Sequence, residues 1–210
     1  MTKRHESDDI LITAINGSPN KKGNTVYLLE EALKVCAELG AKTKLIHCAE
    51  ALKGQKTPFC TACQTPCAGK CGIDTPLAKA WDTVSVSDGI IMGSPVYFGT
   101  VSGQMKAFWD KSRYVRSKKL LLNVPGGTVT VGASQYGGQE TTARAMMDMM
   151  LVQGMIVIGD GYVDDDCGHL GAMGNKPSLE DVNALKRTRI LARRIFEVAK
   201  ATKSIRVGKP

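Results

Sequence analysis

Two stretches of this chain carry residue types whose spacing could do chemistry. The first reads Cys60-Thr61-Ala62-Cys63-Gln64-Thr65-Pro66-Cys67-Ala68-Gly69-Lys70-Cys71, four thiols within twelve residues. Thiolates packed this closely can wrap a cubane cluster, whereas structural zinc draws two Cys-x-x-Cys knuckles from well-separated points. The spacing therefore favours [4Fe-4S] over zinc, and a loop of free thiols is the plain alternative. The second stretch follows an apolar run and reads Asn16-Gly17-Ser18-Pro19-Asn20-Lys21-Lys22-Gly23-Asn24-Thr25. It is a polar loop entering a helix, where free backbone N–H groups and the helix dipole favour an anion such as a phosphate. Ser18, Asn20, Asn24 and Thr25 add side-chain donors, and Gly17 and Gly23 allow close approach. The loop lacks the Gly-Lys-Ser/Thr ending of a nucleoside-triphosphate loop. Nor does an acidic residue close the second strand, as a dinucleotide fold requires. Taken alone, the loop is equally that of an ordinary strand-to-helix turn.

The elements that must position these loops alternate along the chain. Strands are expected at residues 10–15, 41–48, 89–92, 128–131 and 155–158, and helices at 25–39, 76–84, 103–114, 140–153 and 179–200. Five β-α units with short apolar strands predict an α/β fold, a doubly wound parallel sheet with helices on both faces. A single domain is expected over residues 10–200, with polar tails at 1–9 and 201–210. A cysteine-rich loop at 57–75 interrupts it, and a loop that long in a compact domain is usually functional.

Seven cysteines in 210 residues is an odd number, which speaks against a complete secreted disulfide framework. With a polar start and no bilayer-long apolar run, the expectation is a soluble cytoplasmic protein without membrane contact. The formal charge of +8 is uneven, with six basic residues from Lys106 to Lys119 and nine from Lys186 to Lys209. In the last helix Leu185, Leu191, Ile195, Val198 and Ala199 form a core stripe, so the charges there read as a solvated face. Aromatics make up 5% of the chain and hardly interleave with those charges, which leaves no stacking surface for nucleic acid.

In such a sheet, ligands sit beyond the carboxyl ends of the strands at the switch point. After the third strand the chain places Gly93-Ser94-Pro95-Val96-Tyr97-Phe98-Gly99, and after the fourth Ser134-Gln135-Tyr136-Gly137-Gly138. One polar cradle and two loops of apolar, aromatic and backbone groups suit a ligand with a phosphate at one end and a flat ring at the other. Flavin mononucleotide (FMN) is such a ligand. Cys36 and Cys48 fit buried positions. Cys167 and His169 are expected in a loop after the fifth strand, on the ligand side of the sheet. Ala145, Met146, Met149 and Met150 read as a core or subunit-contact stripe, with Met147 at its edge.

From Ile10 to about Ala199, and most clearly over Gly93–Asp110 and Gly137-Gly138-Gln139-Glu140-Thr141, the chain resembles the NADPH-dependent FMN reductase family. Within it the likeness is to the iron-sulfur flavoproteins and the WrbA-like multimeric flavodoxins. The resemblance implies a flavodoxin-like sheet of order 2-1-3-4-5. It implies FMN phosphate on Ser18, Asn20, Gly23, Asn24 and Thr25, and the flavin ring against Pro95, Val96, Tyr97, Phe98 and Gly99 and against Ser134, Gln135, Tyr136, Gly137 and Gly138. It further implies a [4Fe-4S] cluster on Cys60, Cys63, Cys67 and Cys71, although three residues separate the second, third and fourth cysteines here, where relatives typically have two and then a longer gap. A homo-oligomer, dimer or tetramer, follows by the same analogy, with NAD(P)H or reduced ferredoxin as electron donor. The runner-up activity is a cluster-free NAD(P)H-dependent reductase of flavin, quinones or nitro compounds. A non-enzymatic flavodoxin-like carrier is a third reading, and the basic charge opposes it because flavodoxins are generally acidic.

Overall fold

The computed structural model describes residues 9–206, so most of the expected N-terminal tail and the last four residues lie outside the described part. In chain order the strands are β1 (Leu11–Asn16), β2 (Lys42–His47), β3 (Gly89–Pro95), β4 (Pro125–Gly132), β5 (Ile156–Val157) and β6 (Ala172–Asn175). The helices are α1 (Asn24–Glu38), α2 (Cys48–Ala51), α3 (Pro76–Ser85), α4 (Gly103–Asp110), α5 (Arg113–Ser117), α6 (Gln139–Val152) and α7 (Val182–Ala201). All pairings are parallel, and the order is β2-β1-β3-β4-β5, the expected doubly wound, flavodoxin-like sheet.

The inner strands are buried on both faces because each face carries its own helical layer. Ile12, Ala14, Ile91 and Val129 pack under α1 and α7, against Leu28, Leu29, Leu191 and Ile195. Ile15, Ile90 and Met92 pack on the other side under α3, α4 and α6, against Trp81, Phe108, Met146 and Met150. Fully burying one such side chain contributes about 1.5–3 kcal/mol, so these two layers set the rigidity of the strand ends. Met146 and Met150 are completely buried core residues, with Met147 and Met149 packed beside them. Cys36 donates its thiol to the Ala192 carbonyl between α1 and α7, and Cys48 is buried at the start of α2.

Two elements depart from expectation. The helix expected over 103–114 breaks into α4 and α5 at Lys111 and Ser112, whose N–H groups bond the Phe108 and Trp109 carbonyls three residues back, and buried Ser112 accepts a hydrogen bond from Gln153 Nε2 at 2.6 Å. More consequentially, the fifth strand is split. β5 pairs only with Pro125–Gly126 at the start of β4, the chain leaves the sheet, and β6 returns to pair with Val129–Gly132. The excursion between them carries Cys167 and His169 along the edge of the sheet, not beyond its carboxyl ends. At the C-terminal side, the Arg206 guanidinium reaches back to buried Asp88 at 3.0 Å and to the Ala199 carbonyl.

Candidate functional site

The loop after β1 is organised by a residue that the list of sequence candidates lacks. Asn16 ends β1 fully buried, and a buried amide must find partners for both its ends. Its Nδ2 donates to the Ser18 and Asn20 carbonyls and stands 2.9 Å from His47 Nδ1, while its Oδ1 accepts the Ser18 N–H. Burial holds the His47 pKa below its ordinary 6.5, with Lys21 pushing the same way, so the ring stays neutral and can accept from Asn16. Ser18 Oγ accepts the Asn20 N–H and closes the turn.

Helix α1 then begins without a side-chain cap: Gly23 is its extended N-cap and no side chain bonds its first N–H groups. Those donors, together with the dipole, are what an anion would use. Thr25 is buried in the first turn, and Asn24 Oδ1 accepts the Ser178 N–H at 2.9 Å, which ties the loop after β6 to this one and leaves the Asn24 amide N–H free to donate elsewhere. Because His47 binds its proton less readily folded than unfolded, folding loses stability as pH falls through about 6.5. We expect this loop to loosen in acid and His47→Gln to flatten that dependence; melting midpoints across the range check it.

The three ligand-side loops are tied to one another. Gly17 donates its N–H to the Gly93 carbonyl at 2.7 Å, and Ser102 Oγ donates to the Gly17 carbonyl. A side chain at Gly17 would bring a Cβ within 2.7 Å of Met105 Cβ, so glycine is required for this approach. Val96 N–H bonds the Val131 carbonyl, and Thr141 Oγ1 donates to the Gly99 carbonyl at 2.6 Å. Buried Gln139 donates to Ser134 O and Asn175 Oδ1, shaping the loop after β4 from beneath.

On this frame sit the remaining candidates. Pro95 and Val96 are half-buried, while Tyr97, Phe98 and Gly99 form an exposed turn. Ser134, Gln135, Tyr136 and Gly137 are exposed, and Gly138 leads into α6. Phe98 and Tyr136 are almost entirely exposed, and both have positive φ, at 50° and 57°. Bulky residues held in that region are strained, and such strain concentrates at ligand sites. Exposed aromatics on two facing loops suit a flat ring.

The four clustered cysteines line a single cavity of about 320 Å³, the rim of which also carries Lys56, Lys70, Lys111 and Arg113. Ala62 N–H donates to Cys60 Sγ, and the loop is braced by Arg113 on Thr65 and by Gly69 against the Tyr114 ring. Among the described residues no three Cys, His, Asp or Glu side chains already stand in metal-holding geometry. The cavity thus gathers four accessible thiols without presetting their directions. Cys36 and Cys48 are separate from it: burial pushes the Cys36 pKa up to about 12 and that of Cys48 higher still, so neither supplies a thiolate.

The sequence signature of the NADPH-dependent FMN reductases matches residues 10–169. The chain belongs to that family. Members named as iron-sulfur flavoproteins are similar over almost the full length: one from Methanocaldococcus jannaschii is 38% identical across 91% of this chain and 98% of its own. Another, from Methanosarcina thermophila, is 33% identical across 89% and 94%. Among solved structures, a WrbA-like flavodoxin from Agrobacterium tumefaciens shares the fold with a TM-score of 0.65, at 18% identity and over 93% of this chain and 99% of that one. Family membership makes the protein an FMN-dependent oxidoreductase. Among the described residues no helix is long and apolar enough to cross a membrane.

Proposed function

We propose that the three tied loops bind FMN and that the cysteine cavity holds a [4Fe-4S] cluster, so that the protein passes electrons between the two. The observation that carries the cluster is the convergence of Cys60, Cys63, Cys67 and Cys71 on one accessible cavity in a chain that is over 30% identical to proteins named iron-sulfur flavoproteins. Four thiols and no competing carboxylate or imidazole line that cavity, a donor set suited to iron-sulfur chemistry. The uncapped start of α1 and the exposed aromatics at Tyr97, Phe98 and Tyr136 support the flavin site.

When bound, FMN supplies acceptance of a hydride or electron pair and release of single electrons, and a cluster supplies a one-electron relay. The chain's own residues do the positioning. Backbone N–H groups of the first turn of α1, with Ser18, Asn24 and Thr25, hold the phosphate. Pro95–Gly99 and Ser134–Gly138 would lie against the ring. The Ala62 N–H, directed at Cys60 Sγ, stabilises negative charge on that sulfur. The lysines and arginine around the cavity favour an acidic donor protein, so reduced ferredoxin joins NAD(P)H as a candidate donor. Homo-oligomerisation belongs to the same reading, with the exposed Leu151 and Val152 at the end of α6 as surface that a second copy would cover.

An anaerobic spectrum tests the pair of centres. Flavin bands over a broad shoulder that bleaches on reduction are expected, and clean flavin bands alone would leave the cluster-free reductase. Turnover with NADH or NADPH separates either from a mere carrier, and light scattering that reports the mass of one chain removes the oligomer.

A further inference from the structure

The break between α4 and α5 sets two cations on the cysteine cavity. Ser112, buried at the break, accepts from Gln153 Nε2 and so pins the turn to the end of α6. The residues on either side of it, Lys111 and Arg113, both line the cavity of the four cysteines, and both are half-buried. Lys56 and Lys70, the other two cations there, are exposed. Lys111 and Cys71 also line the adjoining groove of about 270 Å³, beside Trp81. The two residues therefore stand together on the wall that cavity and groove share.

Neither half-buried cation is neutralised. Among the described residues no Asp or Glu lines the cavity. Asp110, next to Lys111 in sequence, is taken by Lys106 at 2.6 Å. Asp82 lines the groove but forms no ion pair among the described residues. The Lys111 ammonium makes no hydrogen bond or ion pair there either, and Arg113 reaches only the neutral hydroxyl of Thr65, at 3.3 Å. A charge that gives up part of its hydration calls for an opposite charge in return, and the open side of these two is the thiol cavity.

We infer that Lys111, seconded by Arg113, is a positioning residue for electrons: it raises the reduction potential of the cluster in this cavity by stabilising the electron taken up. The inference rests on the reading of the cavity as a [4Fe-4S] site. A cubane on four thiolates is an anion and gains further negative charge on one-electron reduction, so a fixed cation beside it favours the reduced form. The step is the passage of one electron from reduced flavin, with no bond made or broken. Lys56 and Lys70, exposed to water and salt, contribute less.

The test is an equilibrium potential, taken on the loaded protein without oxygen, with redox mediators and no protein partner, so that docking of a donor plays no part. Lys111→Gln should move the cluster couple downward. At the wild-type midpoint the ratio of reduced to oxidised cluster should fall by about tenfold, equivalent to about 59 mV for a one-electron couple. The FMN couple, iron content and melting temperature should stay put. Lys111→Arg, which keeps the charge, should hold the wild-type value, and Lys56→Gln should shift it less than Lys111→Gln does. Arg113→Gln, whose amide can still donate to Thr65, should shift it in the same direction, and it decides the matter if Lys111→Gln does not load. An unmoved couple in a variant that keeps its iron overturns the inference. So does an equal shift in Lys111→Arg, since shape and not charge would then be responsible. Absence of iron from the wild type fails the cluster reading itself and takes the inference with it.

Discussion

Replacing Cys63 and Cys71 together with serine is expected to drop the iron content of anaerobically prepared protein from about four atoms per chain to nearly none, with FMN retained. Both side chains are exposed, and neither is bound to another group among the described residues, so their loss costs the fold little. Cys60, by contrast, is half-buried and takes the Ala62 N–H, which makes it a poorer choice for a clean test. A cubane needs four ligands, and a serine hydroxyl with its high pKa replaces a thiolate badly. Iron analysis beside flavin absorbance reads the two cofactors independently in one sample. Unchanged iron in the double variant would place the metal elsewhere.

The second large effect is expected in the first loop. Asn24→Ala with Thr25→Ala should weaken FMN binding by roughly two orders of magnitude or more, since each donor to a charged phosphate is worth about 1.5–3 kcal/mol. Asn24 also accepts the Ser178 N–H, and its loss could act through the loop after β6. Asn24→Asp separates the two roles: it keeps the acceptor, removes the amide donor and sets a negative charge against the phosphate. Equilibrium dialysis should therefore show Asn24→Asp losing FMN at least as severely as Asn24→Ala. Affinity unchanged in the double variant would show that the phosphate binds elsewhere.

Much of this arrangement is legible in the sequence because it rests on local pattern. The run Ile10–Ile15, the polar loop and the stripe of α1 announce a strand, turn and helix, and the repeats of that unit dictate a parallel sheet. Position beyond the carboxyl ends then follows from topology for the loops at 95–99 and 134–138. The split strand is not legible in this way. Ile156-Val157 is too short to show alternation, and Ala172-Met173-Gly174-Asn175 has no β-branched residue, so its pairing with β4 comes from tertiary context. That is why His169 lines a cavity at the sheet edge, with Cys167 two residues before it in the same excursion. Asn16 is missed for a different reason: its chemistry is structural, and only its complete burial, which forces every amide bond to be satisfied, reveals it as the organiser of the loop. The four cysteines were readable from spacing, whereas their meeting on one cavity required the fold of a long loop with few regular hydrogen bonds.

The most direct test of the central claim is the stoichiometry of iron, sulfide and FMN in protein purified without oxygen. The account predicts one FMN with about four irons and four sulfides per chain. Stoichiometric zinc, or flavin with no metal at all, would contradict it.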